Sequence, residues 1–126
     1  MKINVVYSTD ENYARHCGVS IYSLFDNNKN VDEIDVYIIS NDLSKETKEN
    51  FFMISKEFNR KIFFVEIDNI YEEFTKNNDF PKSAYARLFT ENISDKIDKI
   101  LYLDCDTVIV NDISGLWNTD IDEYYF

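Results

Sequence analysis

The residues of this sequence best suited to chemistry are the aspartates in "DKILYLDCDTVIVNDISGLW". Asp104 and Asp106 sit one residue apart, directly after an apolar run, and Asp112 follows a second apolar run. Side chains alternate along an extended segment, so Asp104 and Asp106 point to one side and Cys105, between them, to the other. Two carboxylates on one side repel unless a cation sits between them. A divalent ion that takes hard oxygen ligands, Mg2+ or Mn2+, meets that need, usually with phosphate oxygens completing its shell. Aspartate also caps turns at strand ends, and a bare D-x-D fits that ordinary role as well. The apolar "ILYL" before the pair and "TVIV" after it set the aspartates at a strand tip, which favours the metal.

A second polar cluster, "STDENY" at 8–13, follows the apolar run "INVVY". It offers acceptors, an amide and an aromatic ring at a strand tip that leads into a helix. That set suits a nucleobase, since a carboxylate takes an imide N–H and a tyrosine ring stacks. The plain alternative is a helix cap with solvent-facing side chains, and Ser8 and Glu11 have the spacing of a capping box. Arg87, in "AYARL", is an arginine inside an apolar stretch of an acidic chain, a setting that suits a carboxylate or phosphate partner as well as a plain surface position. His16 and Cys105 fit surface or packing roles.

These residues need a scaffold. The runs 3–7, 35–40, 61–67 and 99–104 are short, apolar and rich in β-branched residues, and predict strands; "TVIV" at 107–110 predicts another. Between them Ala14, Cys17, Ile21 and Leu24 mark one helix face, and Thr47, Phe51, Ile54 and Phe58 a second, with Ser44 as its N-cap. Residues 83–93 predict a third helix, and 67–83 an irregular region. Alternating strands and helices predict an α/β domain with a mostly parallel, Rossmann-like sheet. Right-handed crossovers give the order 3-2-1-4, with the winding reversed between strands 1 and 4. Ligands bind at the carboxyl ends of the strands at such a reversal, where "STDENY" and "DCD" would meet.

Composition bounds the function. The chain has 126 residues, 44% hydrophobic, with a net charge of −11. It is long enough for one domain with one core. The charge argues against nucleic acid or an anionic membrane surface as the main partner, because both need a basic face. Cys17 and Cys105 have no spacing that suggests zinc or a disulfide framework, so reduced thiols and a cytoplasmic setting are expected. No apolar run approaches the roughly 18 residues of a membrane span.

Taken together, "INVVYSTDENYARHCGVSIYSL" (3–24), "SAYARLFTENI" (83–93) and "DKILYLDCDTVIVNDISGLWNTDI" (98–121) resemble glycosyltransferase family 8. This family contains retaining, nucleotide-sugar-dependent enzymes, among them bacterial lipopolysaccharide galactosyl- and glucosyltransferases and glycogenin. The resemblance implies a GT-A type fold, a UDP-sugar donor, a saccharide acceptor and Mn2+ or Mg2+. It implies that Asp10 accepts the uracil N3–H, Tyr13 stacks on the base, and Asn12 and the Ser8 backbone help to hold the nucleoside. Arg87 would contact the diphosphate or donor sugar. Asp104, Cys105 and Asp106 form the D-x-D, whose two aspartates would hold the metal against the diphosphate. The family's later half supplies a histidine ligand in a motif with glycine and lysine, as well as the acceptor site. Residues 1–126 are therefore expected to be the nucleotide-binding part of such a domain. Weak UDP binding, no transfer by this part alone, and self-association through apolar surface including "EYYF" are expected with it. In the full enzyme, a position peripheral to the inner face of a membrane is compatible with these features.

Other readings fit less well. "LYLDCDTVIV" matches the D-x-D-x-[TV] motif of haloacid-dehalogenase-type phosphatases, but that motif normally sits on the first strand. A receiver domain needs its acidic pair after strand 1 and an aspartate after strand 3, where "IDN" (67–69) is a poor match. A non-catalytic nucleotide-binding fragment fits the same residues and is separated only by an assay of sugar transfer.

Overall fold

The computed structural model describes residues 1–66 and 99–120. The elements run β1 (Lys2–Ser8), α1 (Ala14–Asp26), β2 (Glu33–Ser40), α2 (Lys45–Phe58), β3 (Lys61–Glu66), β4 (Leu101–Tyr102) and a short helix α3 (Ser114–Trp117). The expected helix at 83–93, the irregular stretch 67–83 and the terminal "EYYF" lie outside the described residues.

Among the described residues the sheet is parallel and its order is β3-β2-β1-β4, as the crossover argument predicts. Burial explains the order. β2 is buried from Ile34 to Ser40 and β1 is mostly buried, as central strands covered on both faces must be. β3 mixes buried and exposed positions, as suits an edge. The core joins Val5 and Tyr7 of β1, Ile21 and Leu24 of α1, Ile38 of β2 and Phe51 of α2. α2 starts at Ser44, whose hydroxyl accepts the Thr47 N–H at 3.1 Å. It ends at Asn59, which adopts the left-handed conformation (φ 53°) that terminates helices.

Two sequence expectations need correction. The capping box of Ser8 and Glu11 does not form: Ser8 is the last residue of β1, and α1 begins after Tyr13 without a side-chain cap. Spacing alone cannot tell a cap from a strand that runs one residue further. The second correction concerns 107–110, which forms no strand with the described residues. β4 itself pairs with β1 only through Leu101 and Tyr102, opposite Val5 and Val6. Leu103 adds one backbone bond to Val6, at 3.0 Å.

Beyond that point side chains of α1 and of the two residues just past its end take the place of a ladder. Ser23 Oγ accepts the Ile109 N–H at 2.8 Å, and Asn27 Nδ2 donates to the Ile109 carbonyl at 2.8 Å. Asn28 accepts the Ile113 N–H at 2.8 Å and donates to the carbonyls of Leu24 and Asn111. The segment thus keeps the alternation of a strand: Cys105, Ile109 and Ile113 pack toward the core, while Val108 and Val110 are exposed. Asp112 is a cap, accepting the Ser114 N–H at 2.7 Å. Lys99 closes the other end of α3 by donating to the Trp117 carbonyl.

Asn28 is fully buried, so losing its amide strands the Ile113 N–H and two carbonyls. Asn28→Ala should lower unfolding stability by about 1–3 kcal/mol. An unchanged urea midpoint with an unchanged slope would show that the segment does not depend on this residue.

Candidate functional site

The two polar clusters meet at the carboxyl edge of the sheet, between the adjacent strands β1 and β4. Cys105 makes the junction: its thiol donates to the carbonyl of Ser8, the last residue of β1. The Thr9 hydroxyl lies against Cys105, and Thr9 itself is buried, with its N–H on the Ile39 carbonyl at 3.0 Å. Cys105 also accepts from the Cys17 thiol of α1, and that hydrogen bond together with burial pushes the Cys17 thiol far up. The half-buried Cys105 side chain is thus engaged by β1, by Thr9 and by α1.

Asp104 and Asp106 are both exposed and flank the inward-facing Cys105, as the alternation predicts. Among the described residues neither carboxylate has a hydrogen-bond or ion-pair partner. Among those residues no group of three or more acidic, histidine or cysteine side chains gathers for a metal. Two carboxylates are the kind of oxygen donor that a hard divalent ion takes.

A chain of hydroxyls holds the turn that carries the pair. Thr107 Oγ1 donates to the Asp104 carbonyl at 2.8 Å. Ser20 Oγ of α1 is 3.0 Å from Thr107 Oγ1, and the Tyr7 hydroxyl of β1 is 2.7 Å from Ser20 Oγ. Burial raises the Tyr7 hydroxyl well above its ordinary value of 10.0, so it stays protonated.

The loop after β1 is organised just as locally. Asp10 Oδ1 accepts the Tyr13 N–H at 2.9 Å, which leaves Oδ2 for another donor. Asn12 is exposed, and Tyr13 is 56% exposed with its ring 5.8 Å from that of His16. Glu11 turns away from this group to the start of α2. It accepts the Ser44 N–H at 2.7 Å and the hydroxyls of Ser44 and Thr47. Its acidic side chain also suits the positive end of that helix. Arg87 lies outside the described residues.

The sequence reading had no role for Arg15, and it gave His16 none beyond surface or packing. Both line a hollow of about 250 Å³ together with Asp106, Thr107 and Val108. It also missed the positioning side chains Thr9, Ser20, Ser23, Asn27 and Asn28. The last four recur at helical spacing beside the apolar face, a signal for a packed partner that carries backbone groups.

Glu11 yields a pH prediction. Its bond from Thr47, then that from the Ser44 backbone, hold its carboxyl below the ordinary 4.5. A depressed folded value stabilises the protein above the ordinary range and loses that contribution as pH falls through the folded value. Thermal unfolding of wild type should therefore decline more steeply below pH 4.5 than that of Glu11→Gln. Parallel declines would show that the Glu11 bonds do not form in solution.

Comparison with known proteins agrees with this geometry. The model of the family described as Glycosyl transferase family 8 matches residues 4–126. General stress protein A of Bacillus subtilis is 32% identical over 125 residues, covering 97% of this chain and 44% of that protein. The lipopolysaccharide 1,2-glucosyltransferase of Escherichia coli is 28% identical, covering 97% of this chain and 36% of that protein. Among solved structures, the galactosyltransferase LgtC in complex with donor and acceptor sugar analogs superposes with a TM-score of 0.75 at 25% identity. That match covers 96% of this chain and 44% of LgtC. The α/β sheet is thus that of GT-A glycosyltransferases, and the chain spans less than half the length of these relatives.

Proposed function

The chain belongs to glycosyl transferase family 8, and from that premise we propose that it carries the donor-nucleotide side of a glycosyltransferase. The reaction moves a hexose, glucose or galactose, from a UDP-sugar to a saccharide acceptor with retention of configuration. One observation carries this reading: the loop after β1 and the exposed Asp104 and Asp106 share one sheet edge, joined by Cys105 and Ser8. That is the place where an open parallel sheet takes a ligand. The likeness to LgtC, solved with donor and acceptor sugar analogs, supports the same assignment.

In this reading the free Oδ2 of Asp10 accepts the uracil N3–H, while Oδ1 keeps the loop folded on the Tyr13 N–H. The exposed Tyr13 ring covers the base. Asn12 and the Ser8 backbone hold the nucleoside, the Ser8 carbonyl using the lone pair that the Cys105 thiol leaves free. Arg87 meets the diphosphate or the donor sugar. Asp104 and Asp106 hold Mn2+ or Mg2+. When bound there, such an ion supplies charge neutralisation and Lewis acidity at the departing diphosphate. Two clustered carboxylates in a chain of net charge −11 otherwise repel a diphosphate, so the donor's phosphates depend on that neutralisation.

Calorimetric titration of UDP tests this reading. Mn2+ should raise UDP affinity by roughly 5- to 150-fold, and UDP should raise Mn2+ affinity by the same factor. The double variant Asp104→Asn/Asp106→Asn should lose that coupling and keep its unfolding temperature. UDP binding that ignores both the ion and the double substitution would reduce the D-x-D to a strand-end cap. Transfer from radiolabelled UDP-glucose or UDP-galactose then separates a transferase from a protein that only binds the nucleotide.

A further inference from the structure

The proton count of the hydroxyl chain fixes its direction. A carbonyl can only accept, so the single proton of Thr107 Oγ1 goes to the Asp104 carbonyl. The 3.0 Å contact between Ser20 and Thr107 must then use the Ser20 proton. The 2.7 Å contact between Tyr7 and Ser20 must use the Tyr7 proton. Each hydroxyl donates once, in the order Tyr7, Ser20, Thr107, ending on the Asp104 carbonyl, and Ser20 and Thr107 each also accept once. Such chains polarise one another, so each link strengthens the next. Tyr7 and Ser20 are fully buried on β1 and α1, the most enclosed parts of the fold. The chain therefore ties the turn bearing the aspartates to the core.

We infer that Thr107 is a positioning residue for the metal–diphosphate site, acting through the Asp104 carbonyl and backed by Ser20 and Tyr7. The inference rests on the proposed role of Asp104 and Asp106 and assigns a function to residues outside the D-x-D. Like charges on neighbouring side chains tend to spread apart. A turn pinned from the core keeps them together before any ion arrives, so less ordering is needed on binding. Thr107 touches neither the ion nor the nucleotide in this scheme and is not a catalytic residue.

Thr107→Val keeps the shape and removes the hydroxyl, while Thr107→Ser restores it. Two measurements on the full chain decide the matter. The first needs no ligand: amide hydrogen exchange of residues 104–107. In Thr107→Val it should quicken by about tenfold, the loss of one net hydrogen bond, with β2 unchanged. The second is Mn2+ affinity, read from the electron paramagnetic resonance of the free ion. It should weaken by about 10- to 100-fold in Thr107→Val and return toward wild type in Thr107→Ser. Tyr7→Phe should shift both readouts in the same direction by less. The inference is overturned if Thr107→Val exchanges and binds Mn2+ like wild type. It is also overturned if exchange rises equally across the sheet, or if serine fails to restore either readout. A wild type that takes up no Mn2+ contradicts the proposed function instead, and the exchange comparison then decides the positioning role by itself.

Discussion

The constraint on which the site depends is the hydrogen-bond demand of the segment after β4, which among the described residues enters the sheet ladder only through Leu101 and Tyr102. Past them Cys105 and Asp106 form a turn, and the side chains from Thr107 to Val110 alternate between partly buried and exposed without forming a strand. A partly buried backbone without partners costs free energy comparable to the lost bonds. In this fold α1 and the two residues just past its end meet the demand with side chains. Ser23, Asn27 and Asn28 bond the backbone from Ile109 to Ile113, and Ser20 reaches Thr107. A sheet neighbour would have fixed the same groups but would also have covered the edge. Side chains from a helix leave Asp104 and Asp106 exposed.

That solution links the two halves of the candidate site. The helix that clasps the second segment is also the helix whose start follows the loop of Asp10, Asn12 and Tyr13. Its inner face packs on β1 and β2 through Cys17, Ile21 and Leu24, and its first turn carries Arg15 and His16 to the hollow beside Asp106. Glu11 fastens the loop at its other side to the start of α2. The loop after β1 and the aspartate pair are therefore both held by contacts to α1 and to the ends of β1 and α2.

Much of this was legible in the sequence. Short β-branched runs separated by amphipathic helices were enough for the parallel sheet and its order, because few connections satisfy right-handed crossovers. Alternation was enough to put Asp104 and Asp106 on one side and Cys105 on the other. What the sequence hid was long-range pairing of polar groups. Glu11 looked like a partner for Ser8, three residues away, but bonds Ser44 and Thr47 on the next helix. "TVIV" has the period of a strand because its side chains alternate between core and solvent, and period says nothing about what bonds the backbone. Ser20, Ser23, Asn27 and Asn28 look like a solvated helix edge until the segment they bond is in place.

In the proposed function a nucleotide-bound divalent ion sits where the loop after β1 meets the D-x-D. Paramagnetic broadening by substoichiometric Mn2+ in the presence of UDP, followed over the amide signals of the isotope-labelled protein, tests it most directly. Broadening should be strongest at Asp104, Cys105 and Asp106, should extend to the stretch from Thr9 to Asn12, and should spare the far end of α2 at Glu57. Broadening spread over the other acidic positions, such as Asp26, Glu46 and Glu57, with no maximum at the D-x-D would contradict it.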